Sequence, residues 1–251
     1  MRGGRLVAVV LTAVVAAGLP AEEGAAATAP ACTSASPSPK TAPLTDAVAA
    51  EQAPGPVAEK TWIHWTRWST RVVHGDPAVL EGQVVTEDGA LARATVDLLE
   101  RRAGTSGWSE VASATADPET GVFSFDCLRP TVTTEYQVVY GGTLLHGPSR
   151  AARTVGVARR VPDTMRKVAA DRFVLAGSVQ PRYVGQPVVL QRKSCADCRW
   201  RAVRTRETTN RSRWRFAIDS SSFTRRQWFR AVVPADKGYV RSYGDHVWRI
   251  G

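Results

Sequence analysis

The sequence predicts an all-β chain folded as two tandem β-sandwiches. Its second half repeats its first, its apolar period is two, and turn signals recur about every 8 to 12 residues. Val96 to Arg102 is followed by Trp108, Phe123, Phe125 and Tyr136, and Val188 to Lys193 by Trp200, Trp214, Phe216 and Phe229. Leu98 to Leu190, Trp108 to Trp200 and Val111 to Val203 are each offset by 92 positions, Phe125 to Phe216 by 91 and Tyr136 to Phe229 by 93. A register held this closely across loops of different length marks one duplicated supersecondary unit, each copy the size of a small sandwich.

At the N-terminus, Arg2 and Arg5 precede an apolar run from Leu6 to Leu19, and Ala25-Ala26-Ala27 and Ala27-Thr28-Ala29 fit a small-residue cleavage pattern. Residues 1–29 therefore read as a secretory signal peptide, with an uncleaved anchor as the competing reading. The run is shorter than the roughly 20 residues a spanning helix needs, so no transmembrane segment is expected in the mature chain. Residues 30–60 are Ala, Pro, Ser and Thr with scattered charge and no aromatic. Such a segment cannot bury enough apolar area to offset its ordering entropy, and a disordered stalk is expected.

The first sandwich is expected over 61–158. Its strands include Ala94 to Leu99, Val122 to Phe125 and Glu135 to Tyr140, punctuated by Glu87-Asp88-Gly89, Thr105-Ser106-Gly107 and Asp117 to Gly121. Residues 159–170, with Arg159, Arg160, Arg166 and Lys167 around Pro162, read as an interdomain linker with a single helical turn at most. The second sandwich is expected over 171–251. Trp62, Trp65 and Trp68, spaced by three, resemble the Trp run of thrombospondin-type repeats, without that family's cysteine framework. Period two puts Trp62 and Trp68 on one face and Trp65 on the other, either as core and edge packing or with Trp65 facing a ligand.

Gly82-Gln83-Val84, Val96 to Arg102, Gly107-Trp108, Val111 to Thr115, Asp117, Gly121 to Phe125 and Thr134 to Tyr140 together resemble the tandem bacterial immunoglobulin-like domains of exported actinobacterial proteins. The second copy keeps Leu175 to Val179, Gly185 to Arg192, Arg199 to Val203 and Phe229 to Val233, but carries Trp214 and Phe216 in an Arg-rich setting. The resemblance implies two immunoglobulin-like β-sandwiches and export. It leaves function open, because such modules serve as spacers, adhesins and appendages to enzymes.

Four cysteines in an exported chain suggest disulfides. Cys195 and Cys198 would close a tight ring between two strands, while C-x-x-C also admits redox and metal readings. Cys32 and Cys127 would then pin the stalk to the first sandwich, unless Cys32 is lipid-modified.

Charge lies nearest to function. Residues 61–158 hold eight Arg and eleven Asp plus Glu, whereas 171–251 hold seventeen Lys plus Arg against six acids, so the formal charge of +10 sits largely on the second copy. This asymmetry points to an anionic partner. Arg199, Arg201, Arg213 and Arg215 are expected to share a solvent face opposite buried Trp200 and Trp214, either as an anion-binding face or as solvation of the sheet. Catalysis finds no support: His64, His74, His146 and His246 lie in no zinc spacing, and no nucleophile elbow, phosphate loop or cofactor motif is present. The sequence therefore predicts a secreted or envelope-associated, non-enzymatic protein without cofactor. Its basic second domain would contact an anionic wall polymer or polysaccharide, with nucleic acid disfavoured. The alternative is a structural or adhesive module binding an extracellular protein through a strand edge or aromatic patch.

Overall fold

The structure, a computed structural model, describes residues 58–251, so the leader, most of the stalk and Cys32 lie outside the described residues. Every regular element described is a β-strand. In the first sandwich β1 (Trp62–Trp68), β2 (Arg71–Val73), β3 (Ala78–Thr86), β4 (Gly89–Ala90), β5 (Thr95–Arg102), β6 (Ser109–Thr115), β7 (Val122–Leu128), β8 (Thr134–Tyr140) and β9 (Ser149–Ala158) form two sheets. One is β1-β3-β7, with β4 on the end of β3; the other is β2-β9-β8-β5-β6. In β3 and β8 alternate residues are buried along the whole strand, as an inward-facing apolar set of period two requires. Leu80, Val84, Leu98, Phe123, Tyr136 and Val138 meet between the sheets.

Within the expected linker 159–170, Asp163–Ala169 is a strand rather than linker. β10 (Asp163–Ala169) pairs antiparallel with β11 (Arg172–Ser178), and β11 pairs with β14 (Arg213–Asp219). Val161 is fully buried and Met165 packs on the second core, while Arg166 and Lys167 occupy the outer part of an edge strand. Charge on edges is a device against edge-to-edge pairing, and here it masks the apolar period. The opposite sheet holds β12 (Pro187–Lys193), β13 (Arg201–Glu207) and β15 (Gln227–Val233), in order β13-β12-β15. The last strand is split in two, β16 (Ser242–Tyr243) and β17 (Trp248–Ile250), both paired to β15.

The two copies share their inner geometry. Trp65 lies opposite Gly82, and Gly82 opposite Phe123; Asp163 lies opposite Gly177, and Gly177 opposite Trp214. Each central glycine leaves room for a ring from the neighbouring strand, since a Cβ at Gly82 would meet Phe123 Cζ at 2.9 Å and one at Gly177 would meet Trp214 Cζ2 at 2.6 Å. Trp65 is therefore a core residue, 7% exposed and edge-on to Phe123 at 6.3 Å, whereas Trp62 and Trp68 are 42% and 39% exposed. The alternation along β1 is as expected but its faces are reversed: Trp65 is the ring that faces inward, opposite Gly82. A register shift between Trp65 and Arg67 follows, and Trp68 stacks on the Arg153 guanidinium at 4.8 Å.

The end of the expected stalk is also tied down. Glu59 N–H donates to Leu145 O and Gly147 N–H to Glu59 O, both at 2.7 Å.

Only residues 159–162 separate the sandwiches, and the loop after β15 reaches back onto the first. Thr133 N–H donates to Gly238 O at 2.8 Å and Val240 N–H to Val157 O at 2.9 Å. At this junction Arg159, 8% exposed, lies over Tyr239 at 3.9 Å and Tyr183 at 4.6 Å and pairs with Asp236 at 2.7 Å. Arg160 pairs with Asp76 of the first sandwich at 2.5 Å.

Candidate functional site

The four arginines expected on one face are divided between the two sheets. Arg213 and Arg215 are exposed on β14, which turns Trp214, Phe216 and Ile218 into the core. Arg201 opens β13, and Arg199 lies in the loop before it. Strands β13 and β14 follow one another in sequence but belong to opposite sheets, because the chain crosses the sandwich between them. They are not paired strands with a common face. Arg204, exposed on β13, donates through Nη1 to Ala217 O of β14 at 3.0 Å and so links the two edges. Trp200 is half-buried rather than in the core.

Arg199 and Arg201 instead join two cations that the sequence analysis did not single out. The β12–β13 register sets Arg192 opposite Arg201. Around the loop that connects these strands, Arg192, Lys193, Arg199 and Arg201 line a cavity of about 510 Å³ together with Cys198 and Gln227, and no carboxylate lines it. The Cys195–Cys198 disulfide closes the loop, and Lys193 Nζ donates to Ala196 O within it. None of the four cations forms an ion pair among the described residues. Like charges brought together in a concave site without counter-charge raise the local positive potential, which is the physical requirement for holding an anion. The signal available in sequence was Arg192-Lys193 at the end of a strand facing Arg199 and Arg201 across a short loop.

The outer face of the same sheet carries a stack of cations and aromatic rings. Lys193 lies over Trp228 at 6.0 Å and over Trp200 at 5.2 Å; Arg230 lies over Trp200 at 4.3 Å and over Tyr243 at 4.5 Å. Arg71 of the first sandwich lies over the Tyr243 ring at 5.5 Å. The β12–β15 register explains the arrangement: Gln191 and Lys193 stand opposite Arg230 and Trp228 on one face, and Gln191 Oε1 accepts from Arg230 Nε at 2.9 Å. Burial pulls the Arg230 guanidinium below its ordinary range, with Tyr243 opposing the shift and Arg241 adding to it.

The second copy departs from the first at Asp163, which occupies the position of Trp65. Its side chain is fully buried; Oδ1 contacts His246 Nδ1 at 2.9 Å and accepts from Trp248 Nε1 at 3.2 Å, while Oδ2 has no hydrogen-bond partner. Gly244 is required here, because a Cβ would collide with Oδ2. The last strand opens between β16 and β17 to bring His246 and Trp248 to the carboxyl. Burial pushes the Asp163 carboxyl above its ordinary value, with the His246 and Trp248 hydrogen bonds opposing. The folded chain thus holds this proton to higher pH than the unfolded chain, and the stability it brings is lost as pH rises above the ordinary carboxylate range. Asp163→Asn should therefore gain melting temperature relative to the parent between about pH 4 and about pH 7. Thermal unfolding of the two at both pH values checks this; a difference independent of pH would contradict it. Cys127 is disulfide-bonded, and its expected partner Cys32 lies outside the described residues.

No protein-family model and no curated protein matches the sequence. Among solved structures, the chain is similar to a tetra-tandem repeat from the extending region of a large adhesion protein, at 12% identity and TM-score 0.32, over 77% of this chain and 49% of that one. The chain spans about half the length of that fragment. It is also similar to a DUF4785 family protein of Legionella pneumophila, at 10% identity and TM-score 0.41 over 68% and 52% of the two chains. A third likeness, to the human OSCAR ligand-binding domain, has 16% identity and TM-score 0.28 over 77% and 100%. The fold assignment rests on the strand order and register described above.

Proposed function

We propose that the protein is an exported, non-enzymatic binding module of the bacterial immunoglobulin-like type, and that its second sandwich holds it at the cell envelope through salt-sensitive contacts with an anionic wall polymer or polysaccharide. The observation that carries this reading is the cavity at the β12–β13 loop, which four cationic residues line without a carboxylate and without an ion-pair partner among the described residues. The short-range Cys195–Cys198 disulfide at its wall suits an oxidising compartment. The site is polar, open and cationic; nothing in it positions a nucleophile against a base, and its chemistry is charge recognition.

Sedimentation of the purified protein with cell envelope across a salt series tests the reading. The protein should pellet at low salt and be released as salt rises. The Arg199→Gln/Arg201→Gln pair should weaken pelleting about tenfold, and Arg213→Gln/Arg215→Gln less than about threefold, since only the first pair lines the cavity. Equal effects of the two pairs would reduce the cavity to general surface charge.

One observation favours a second reading. Leu144 and Leu145, at the tip of the β8–β9 loop, are 91% and 64% exposed, and the loop is fixed by Thr143 Oγ1, which accepts from Leu145 and His146 N–H. An ordered loop presenting two leucines suits a protein partner, whose binding would be insensitive to salt.

A further inference from the structure

We propose that the anion-binding surface does not end at the second sandwich but continues along the cation–aromatic stack to Arg71 of the first, so that the ligand is an extended linear polyanion lying across the domain junction. The inference rests on the reading of the cationic cavity given above and names the kind of anion it serves.

The geometry supplies a continuous path. Lys193 lines the cavity and also begins the stack; from it the path runs to Trp200, Arg230, Tyr243 and Arg71 in steps of 5.2, 4.3, 4.5 and 5.5 Å. Its members are half-buried, apart from Arg71, which is exposed. Stacking on a ring fixes the plane of a guanidinium while leaving its N–H edges free to bond. Arg230 spends Nε on Gln191, and Arg71 spends Nη2 on Arg241 O at 2.9 Å; the remaining donors of both are available. No carboxylate pairs with Arg71, Lys193 or Arg230 among the described residues. A row of pre-oriented cations alternating with aromatic rings matches a polymer with repeated anionic groups, whereas a single phosphate or sulfate would occupy the cavity alone. The junction contacts around Arg159 and Gly238 hold Arg71 in line with the second sandwich, so the row is assembled before any ligand arrives.

Binding of two probes to the full chain tests this: inorganic tripolyphosphate, which spans only the cavity, and long-chain inorganic polyphosphate, which can follow the row. The parent should bind the long chain more tightly than the short one. Arg71→Gln, an exposed substitution that removes one hydrogen bond across the junction and should lower the melting temperature only slightly, should weaken long-chain binding about fivefold and leave tripolyphosphate binding as it was. Arg192→Gln/Arg201→Gln should weaken both. If Arg71→Gln changes neither probe, or changes both equally, the path across the junction is overturned while the cavity stands. If the parent binds neither probe, the cavity reading itself falls and the path with it.

Discussion

Gly177→Val should prevent the second sandwich from folding, and Gly177→Ala should cost about 3 kcal/mol or more, at the upper end of what overpacking a core costs. A Cβ at this position points at Pro162 O on one side and at Trp214 Cζ2, 2.6 Å away, on the other. Neither neighbour can retreat. Pro162 O accepts from Ser178 N–H at 3.2 Å in the entry to β10, and Trp214 is 3% exposed between the sheets beside Phe216. Gly82→Ala should be damaging for the same reason in the first sandwich, where His64 O lies 2.6 Å from the added carbon. Gly107→Ala is the control: no atom lies within 4 Å of its Cβ, and a change within about 0.5 kcal/mol is expected. Denaturant unfolding of the three alanine variants checks the order. A Gly177→Ala protein as stable as Gly107→Ala would contradict the close approach of Trp214 to Gly177 between β11 and β14.

Arg159→Ala should cost about 3 kcal/mol and split thermal unfolding into two transitions. The guanidinium is buried, pairs with Asp236 and fills the space between Tyr183 and Tyr239; removing it leaves a charge without its partner and two rings without their contact. Asp236 is about one-third exposed, which keeps the loss at the lower end of the range for breaking buried pairs. The consequence reaches beyond the pair, because Asp236 begins the loop that carries Gly238 and Val240 onto the first sandwich. Once that loop is released the two cores lose their coupling and unfold separately. Arg159→Lys should be intermediate, since it keeps the charge but not the planar stacking. Calorimetry distinguishes the outcomes; a single transition at the parent temperature in Arg159→Ala would contradict the account of the junction.

Much of the fold was legible because period-two burial is written directly in strands such as Ala78–Thr86 and Thr134–Tyr140, and because the duplication repeats their spacing. Strand β10 was hidden by Arg166 and Lys167, charges that suit an edge and so imitate a linker. The inward face of β1 was misjudged because three tryptophans look equivalent in sequence; Gly82, a small residue inside an alternating Val and Leu strand, was the sign that one ring needs room beneath it. The site was legible only as charge. Arginines on consecutive strands suggest one face, but in a sandwich consecutive strands often lie in different sheets, and here the crossing from β13 to β14 separates Arg213 and Arg215 from Arg199 and Arg201. The stack from Lys193 to Arg71 joins residues more than a hundred positions apart, and no local pattern announces it.

The central claim is that the convergent cations of the second sandwich hold an anionic polymer, and its most direct test is the salt dependence of envelope binding for the parent and for Arg192→Gln/Lys193→Gln/Arg199→Gln/Arg201→Gln. The logarithm of the parent's binding constant should fall linearly with the logarithm of salt concentration, and the variant's slope should be shallower by about 3, as expected when four cations no longer displace counterions. A variant that binds with the parent's slope, or a parent indifferent to salt, would contradict the claim.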